Sequence, residues 1–241
     1  LVGTFFSHKG HKSVGEELTV RLKERGWQII TTSAKVRRIP RFLDILSSIW
    51  NYRSQYQLAQ IDVYSGLAFV WAEAAGWLLK RLNKPFVLTL HGGELPEFAN
   101  RWSKRVCRLL HAAQIVTTPS NYLLEEMKSF RQDIHLLPNP LELSSYPFRL
   151  RANPKPDLVW LRAFHQIYNP TLAPHCLERL LSKFPNASMT MVGPDKGDGS
   201  FQETKRVAAA LDVQDRIWFP GGVPKAEVPN WLNIGDIFLN T

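Results

Sequence analysis

The sequence predicts an α/β protein with two parallel-sheet domains. Short apolar runs of strand length alternate with longer runs of helical periodicity over most of the 241 residues. Strand, helix and strand joined by short links form right-handed βαβ units and therefore parallel sheets. The alternation is interrupted at residues 144–156, which are rich in proline and arginine and read as a linker. We therefore expect one domain at residues 1–143 and another at residues 157–241.

Composition narrows the class of protein. Hydrophobic residues make up 44% of the chain, which is enough for a packed core. No apolar run reaches the roughly 18 residues of a transmembrane helix. Cys107 and Cys176 lie far apart in helical patterns, which indicates reduced thiols in a cytoplasmic protein and neither a disulfide framework nor a metal cluster. The chain begins without methionine and stops just after an apolar run, so we expect a fragment cut at both ends.

The net charge of +9 favours an anionic partner, for which nucleic acid, membrane phospholipid and a phosphorylated substrate all qualify. No zinc-ligand spacing, RNA-binding motif or recognition-helix pattern supports nucleic acid. Lys35 to Arg53 forms a basic amphipathic helix that contains Trp50, and a similar pattern recurs from Arg101 to Leu109. This pattern fits either a solvated surface helix or attachment to an anionic membrane surface.

The first domain begins with the end of a strand at Leu1 and Val2, and a loop follows from Gly3 to Gly10. A helix is predicted from Ser13 to Gly26, with glycine as its stop. A glycine-bearing loop before a helix N-terminus fits an anion site or an ordinary βα turn. The later predicted strands are residues 28–32, 61–64, 86–90, 115–120 and 134–137, and the later predicted helices are residues 35–53, 67–82 and 121–130.

His91 follows the strongest strand signal of the first domain, Phe86 to Leu90, and is itself followed by Gly92 and Gly93. Ligands of open parallel sheets bind at the carboxyl ends of the strands. A buried histidine often has only a structural role, but this position and the two glycines favour a functional one.

The second domain repeats the alternation of predicted strands and helices, and Arg162 ends its first predicted strand. Gly193 ends the next strand and opens a loop with three glycines. Arginine offers a fork of donors and glycine lets backbone N–H groups approach, so this strand end fits a diphosphate site as well as a surface arginine beside a plain turn. The predicted elements are strands at residues 157–162, 189–192, 216–219 and 237–239, with helices at 172–184 and 227–234.

These motifs, in their order along nearly the whole chain, resemble the GT-B glycosyltransferases of family 4. The resemblance is carried by the loop 3–10, by Thr89-Leu90-His91-Gly92-Gly93, by Pro119-Ser120 and Leu137-Pro138-Asn139-Pro140, and by Leu161-Arg162, Met191-Val192-Gly193, Phe219-Pro220-Gly221-Gly222-Val223 and residues 236–241. It implies two Rossmann-like domains facing a cleft, with the second one truncated here. The first domain would take the acceptor and the second the nucleoside diphosphate sugar.

The resemblance also implies roles for individual residues. Arg162 would neutralise the diphosphate leaving group and His91 would contact the transferring sugar, and both are the expected catalytic residues. Donor binding would involve Arg162 together with Gly10, Asn139, Asn169, Gly193, Gly222 and Val223. The acceptor side would carry Ser7, His8, Lys9 and His11. The implied reaction is transfer with retention to a glycan, lipid or small molecule, without a metal or other cofactor, in the cytoplasm or on the inner face of the membrane.

Three departures from the family pattern keep other functions open. The second cation expected after Arg162 is replaced by Ile167 and Tyr168, the paired glycines of the first loop read Gly10-His11, and the two glutamates that normally follow residues 236–241 lie beyond the chain. We therefore expect this fragment alone to be inactive. The alternatives are a non-catalytic nucleotide-sugar-binding protein and a GT-B sugar-nucleotide epimerase.

Overall fold

A computed structural model of the chain describes residues 1–3, 5 and 14–241. The described residues form two compact units, which meet in the chain between Leu141 and Glu142. Each unit is a parallel four-stranded sheet with helices packed against it, so the predicted α/β class is confirmed. The assignment of the units to acceptor and nucleotide sugar stays a prediction.

The sheet of the first unit contains four parallel strands in sequence order: β1 Ala59–Val63, β2 Phe86–Leu90, β3 Ile115–Thr118 and β4 Ile134–Leu136. Val2 extends it through a bridge to Ile61. The strand predicted at residues 28–32 was wrong, because Thr32 forms only one bridge, to Val2. Among the described residues, backbone hydrogen bonds there join residues 1–3 and 5 to residues 30–33, without a regular strand.

The described part of this unit contains six helices: α1 Val14–Glu24, α2 Arg38–Asn51, α3 Leu67–Arg81, α4 Leu95–Arg101, α5 Ser103–Ala112 and α6 Asn121–Met127. The strands supply the centre of the core, where Val63, Leu88 and Val116 have no exposed surface. Gly26 follows α1 with a φ of 84°, as its predicted stop requires. Ser120 Oγ accepts a hydrogen bond from Leu123 N at 3.3 Å and so caps the N-terminus of α6. Among the described residues, no helix is both long and apolar enough to cross a membrane.

The second unit contains β5 Asp157–Leu161, β6 Ser188–Val192, β7 Ile217–Gly221 and β8 Ile237–Leu239, all parallel, in the spatial order β7-β6-β5-β8. Its helices are α7 Leu172–Leu181, α8 Ser200–Ala210 and α9 Val228–Ile234. Single 3₁₀ turns lie at Leu143–Ser145, Gln166–Tyr168, Gln214–Arg216 and Lys225–Glu227. Helix α8 was not predicted, because its middle is dominated by polar residues.

An aromatic cluster fills the core of the second unit. Trp160 and Phe164 are fully buried with ring centroids 4.9 Å apart, and Phe201 and Phe219 pack against Phe164. By contrast β8 lies at the edge of its sheet, where Ile237 and Phe238 are 41% and 55% exposed. Ile237 and Phe238 therefore present apolar surface at this edge of the sheet.

Candidate functional site

His91 lies directly after β2, at the carboxyl edge of the first sheet, and is 8% exposed. Its backbone N–H donates to Val63 O at 2.9 Å, which continues the pairing between β1 and β2 by one residue. Its Nε2 lies 3.3 Å from Asp62 Oδ1, and its ring stacks on Tyr64 with centroids 5.0 Å apart and planes 17° apart. The imidazole is therefore held by a carboxylate at one edge and by an aromatic ring on one face.

A row of polar side chains runs across this sheet toward His91. Thr117 Oγ1 and Thr89 Oγ1 are 3.0 Å apart, and Gln60 Nε2 donates to Thr89 Oγ1 at 3.0 Å and to Asp62 Oδ1 at 3.4 Å. The residues come from β1, β2 and β3, so the strand register alone brings them together. Buried polar networks of this kind fix the conformation of their members.

The Asp62 carboxylate also lies against the start of the chain. A Cβ placed on Gly3 would come within 2.6 Å of Asp62 Oδ2, so only glycine fits there without displacing the carboxylate. The residues that the resemblance assigns to the first loop, namely Ser7, His8, Lys9, Gly10 and His11, lie outside the described residues. Neither Asp62 nor Tyr64 was predicted as part of a site. The available signal was an acidic residue, Asp62, within the predicted strand 61–64, which comes one strand before the strand that leads into His91.

The pKa of the Tyr64 phenol is shifted from its ordinary value. Burial of its phenol and, second, the nearby Asp62 charge raise its pKa to about 12. The residue as a whole is 45% exposed. Tyr64 therefore stays neutral throughout the physiological pH range and offers His91 an uncharged stacking partner.

Arg162 is the first residue after β5, at the carboxyl edge of the second sheet, and is exposed. Its Nε donates to Asn240 Oδ1 at 3.2 Å, and its guanidinium carbon lies 4.9 Å from the ring centroid of Tyr168. Among the described residues, neither terminal nitrogen, Nη1 or Nη2, has a hydrogen-bond partner. The terminal donors of the guanidinium are therefore available to an anion.

Gly193 lies beside Arg162 because the ends of β5 and β6 approach closely. Arg162 N donates to Val192 O at 3.1 Å, and a Cβ on Gly193 would come within 1.6 Å of Arg162 O. Gly193 N in turn donates to Gly221 O at 2.9 Å, which ties in the end of β7. The fold itself thus requires glycine at this position. Contact of Gly193 with a nucleotide stays a prediction.

The structure groups some of the predicted donor residues at one sheet edge. Gly222 and Val223 directly follow β7, next to the loop after β6, since a Cβ on Gly222 would lie 3.1 Å from Pro194 Cβ. Arg162, Gly193, Gly222 and Val223 therefore share the carboxyl edge of the second sheet. Asn139 belongs to the first unit, where it lies on an exposed segment that follows β4.

Asn169 lines a pocket of about 460 Å³ in the second unit. It adopts a left-handed conformation with a φ of 43° at the end of the 3₁₀ turn Gln166–Tyr168. The opposite wall includes Asp198, whose carboxylate accepts hydrogen bonds from the backbone of Gln166 and from Ser200. These bonds hold the pKa of Asp198 down at about 2. Asp198 therefore joins the loops after β5 and β6 as a carboxylate.

Within the described residues, no cluster of three or more His, Cys, Asp or Glu side chains could hold a metal ion. Outside the pocket, Asp236 binds Arg149 at 2.7 Å, Arg151 at 2.8 Å and the backbone N–H of Lys155 at 2.9 Å. The bond from Lys155, followed by that from Arg151, lowers its pKa. This cluster ties the proline- and arginine-rich segment to the start of β8.

Comparison with solved structures identifies the fold. HepE from Anabaena in complex with UDP aligns with a TM-score of 0.65 at 14% identity, over 93% of this chain and 64% of that one. A glycosyltransferase from Rickettsia africae aligns with a TM-score of 0.60 at 13% identity, over 94% and 62%. The catalytic domain of starch synthase IV from Arabidopsis thaliana, bound to ADP and acarbose, aligns with a TM-score of 0.57 at 12% identity, over 82% and 55%.

The chain thus has the GT-B glycosyltransferase fold and spans less than two thirds of the length of these structures. No curated protein sequence shows significant similarity to it. The family model described as Glycosyltransferase Family 4 matches residues 4–145, which is more than half of the chain. The chain belongs to glycosyltransferase family 4.

Proposed function

We propose that the protein moves a sugar from a nucleoside diphosphate sugar to an acceptor with retention of configuration, and that the second unit binds the donor. The observation that carries this proposal is the oriented guanidinium of Arg162, with both terminal nitrogens unpartnered among the described residues, at the carboxyl edge of a parallel sheet. HepE of Anabaena, which shares the fold, has been solved with UDP and with UDP-glucose, and this supports a uridine nucleotide as the first donor to test.

The proposed chemistry follows from where charge develops. The bond between the sugar and the diphosphate breaks, the sugar becomes oxocarbenium-like, and negative charge grows on the leaving phosphate. Fixed donors stabilise such charge because they need no reorganisation during the reaction. Arg162 would supply the cationic donors, so we propose that no metal is required. His91, held by Asp62 and Tyr64, would contact the transferring sugar.

Epimerisation of a nucleotide sugar is the second candidate. A Listeria monocytogenes protein assigned to the UDP-N-acetylglucosamine 2-epimerases aligns with a TM-score of 0.54 over 87% of this chain. The same fold therefore hosts a different reaction on the same class of ligand. A non-catalytic nucleotide-sugar-binding protein is the third candidate, because Ile167 and Tyr168 replace the cation that the family pattern would place after Arg162.

Binding and turnover separate these candidates. Titration calorimetry with UDP and a panel of nucleotide sugars should show binding that Arg162→Gln weakens about tenfold or more, since a charged hydrogen bond contributes about 1.5–3 kcal/mol. Arg179→Gln removes an exposed arginine at the end of α7 and serves as the control. Product analysis of the complete protein then distinguishes transfer from epimerisation. Equal binding by wild type and Arg162→Gln would reject Arg162 as the diphosphate ligand.

We further propose that the first unit attaches to an anionic membrane surface on the cytoplasmic side. Helices α2 and α3 pack side by side and both lead into parallel strands, so their C-terminal ends lie at the same sheet edge. Trp50 and Trp77 are 51% and 62% exposed near those ends, with Arg53 4.7 Å above the first ring and Arg81 5.4 Å above the second. Exposed tryptophan beside arginine suits the headgroup region of a membrane.

The charge of the surrounding helices also favours an anionic membrane surface. The three helices α2, α3 and α5 carry seven lysine and arginine residues but only Asp44 and Glu73 as acids, and Glu73 is paired with Arg105. Each basic residue near an anionic surface contributes about 1 kcal/mol of attraction.

Sedimentation with phosphatidylglycerol vesicles should deplete the protein from solution at low salt, and phosphatidylcholine vesicles should not. The double variant Trp50→Ala, Trp77→Ala should lose binding, whereas Trp218→Ala, an exposed tryptophan of the second unit, should retain it. Binding that ignores lipid charge would contradict the proposal.

A further inference from the structure

The side chain of Arg162 is oriented by two contacts that use different parts of it. Asn240 Oδ1 accepts from Nε at 3.2 Å, and the Tyr168 ring lies 4.9 Å from the guanidinium carbon. The first contact fixes the inner edge of the guanidinium group and the second covers one face. What remains is the outer edge with Nη1 and Nη2, which is the edge that forms bidentate bonds to phosphate.

The two contacting residues are themselves held. Thr241 Oγ1 donates to Tyr168 O at 2.5 Å and accepts from Trp160 Nε1 at 3.0 Å, and Trp160 is fully buried in the core. Asn240 directly follows β8, whose residues pair with β5, the strand that ends before Arg162. The position of Tyr168 is therefore linked through Thr241 to the core, and that of Asn240 to the sheet.

We propose that Tyr168 and Asn240 are positioning residues that hold the Arg162 guanidinium with its outer edge presented to a diphosphate. This inference rests on the proposed function for its ligand, while the orientation itself can be tested without any ligand. Tyr168 occupies one of the two places where the family pattern would supply a second cation.

Nuclear magnetic resonance of the Arg162 Nε–H group tests the orientation directly. The signal is assigned by its loss in Arg162→Lys, and we expect ring-current shielding together with slow hydrogen exchange in the wild type. Tyr168→Leu should remove the shielding and Tyr168→Phe should keep it. Asn240→Ala should accelerate exchange. Phe184→Leu, which removes an exposed aromatic ring elsewhere in the second unit, should change neither. An Arg162 signal that is the same in Tyr168→Leu and Asn240→Ala as in the wild type would overturn the inference.

Titration with UDP tests the consequence. Tyr168→Leu should weaken UDP binding about two- to fivefold, the size of an exposed cation–π contact, and Tyr168→Phe should restore it. Asn240→Asp separates orientation from charge, because it keeps the acceptor for Nε but adds a negative charge beside the diphosphate. It should preserve the slow exchange and weaken UDP binding more than Asn240→Ala does. If the wild type binds neither UDP nor any nucleotide sugar of the panel while the signals behave as expected, the proposed function fails and the orientation of Arg162 stands. Unchanged UDP affinity in both Tyr168→Leu and Asn240→Asp would reject the positioning role.

Discussion

The two candidate residues with the clearest chemistry, His91 and Arg162, occupy equivalent places at the ends of strands, yet they are held in opposite ways. His91 is buried among side chains of its own sheet, and Asp62, Gln60, Thr89 and Tyr64 all come from β1, β2 or the residue that follows β1. Arg162 is exposed, and its partners lie 6 and 78 residues away along the chain. His91 is fixed by strand register and burial, whereas the orientation of Arg162 depends on the segments that follow β5 and β8.

This difference indicates which perturbations each site should tolerate. A buried network loses free energy when one member is removed, because the remaining polar groups lack partners. Exposed contacts contribute less individually and respond to charge, pH and salt. In the second unit, the Asp198 carboxylate joins the loops after β5 and β6, and the Asp236 carboxylate holds the segment before β5. We expect the polar row around His91 to be sensitive mainly to truncation, and these two contacts of the second unit to be sensitive to ionisation.

The largest effect should come from Gly193→Ala, since its Cβ would lie 1.6 Å from Arg162 O. The ends of β5 and β6 would have to separate, at a cost of about 1–3 kcal/mol or more. Urea unfolding monitored by tryptophan fluorescence measures the change. Gly93→Ala is the matched control, because nothing lies within 4 Å of its Cβ and its φ is not positive. Similar midpoints for both variants would contradict the close approach of the two strand ends.

Asp62→Ala should rank second, with a loss of about 1–3 kcal/mol, because it leaves His91 and Gln60 without their shared acceptor. Asp62→Asn should lose less, since an amide oxygen can still accept. Glu126→Ala, on the exposed face of α6, is the control and should be near neutral. Equal stability of the three variants in urea would show that the polar row does not hold His91.

A smaller and local effect is expected for Asp236→Asn. The variant weakens the ion pairs that residue 236 forms with Arg149 and Arg151. Trypsin should therefore cut after these two arginines faster than in the wild type. Mass spectrometry of early fragments identifies the sites. Asp215→Asn, an exposed acid before β7, is the control. Unchanged cleavage at residues 149 and 151 would mean that the segment is held by other contacts.

The smallest effect concerns pH. Asp198 has a pKa lowered to about 2, so its stabilising contribution is present above its unfolded value near 3.8 and is lost as the pH falls toward 2. The melting temperatures of the wild type and Asp198→Asn should therefore differ at pH 7 and converge below pH 4. A difference that is constant from pH 7 to pH 2 would show that ionisation of Asp198 does not matter.

The sequence predicted most of the architecture because apolar periodicity marks buried strands and helices directly. It predicted His91 and Arg162 as candidates because each follows a strong strand signal. It missed helix α8, whose polar middle hides the periodicity, and it overstated the strand at residues 28–32, where only Thr32 pairs in a bridge. It could not reveal Asn240 or Tyr168 as partners of Arg162, because contacts between exposed loops depend on three-dimensional paths that leave no local pattern.

We propose above that Arg162 presents its outer edge to the diphosphate of a nucleotide sugar. A crystal structure of the chain with UDP tests this most directly. We expect a phosphate oxygen within about 2.7–2.9 Å of Nη1 or Nη2 of Arg162, with Nε still bonded to Asn240 and the ring of Tyr168 still beneath the guanidinium. UDP bound with its phosphates away from Arg162, or with Arg162 turned from Tyr168 and Asn240, would contradict it.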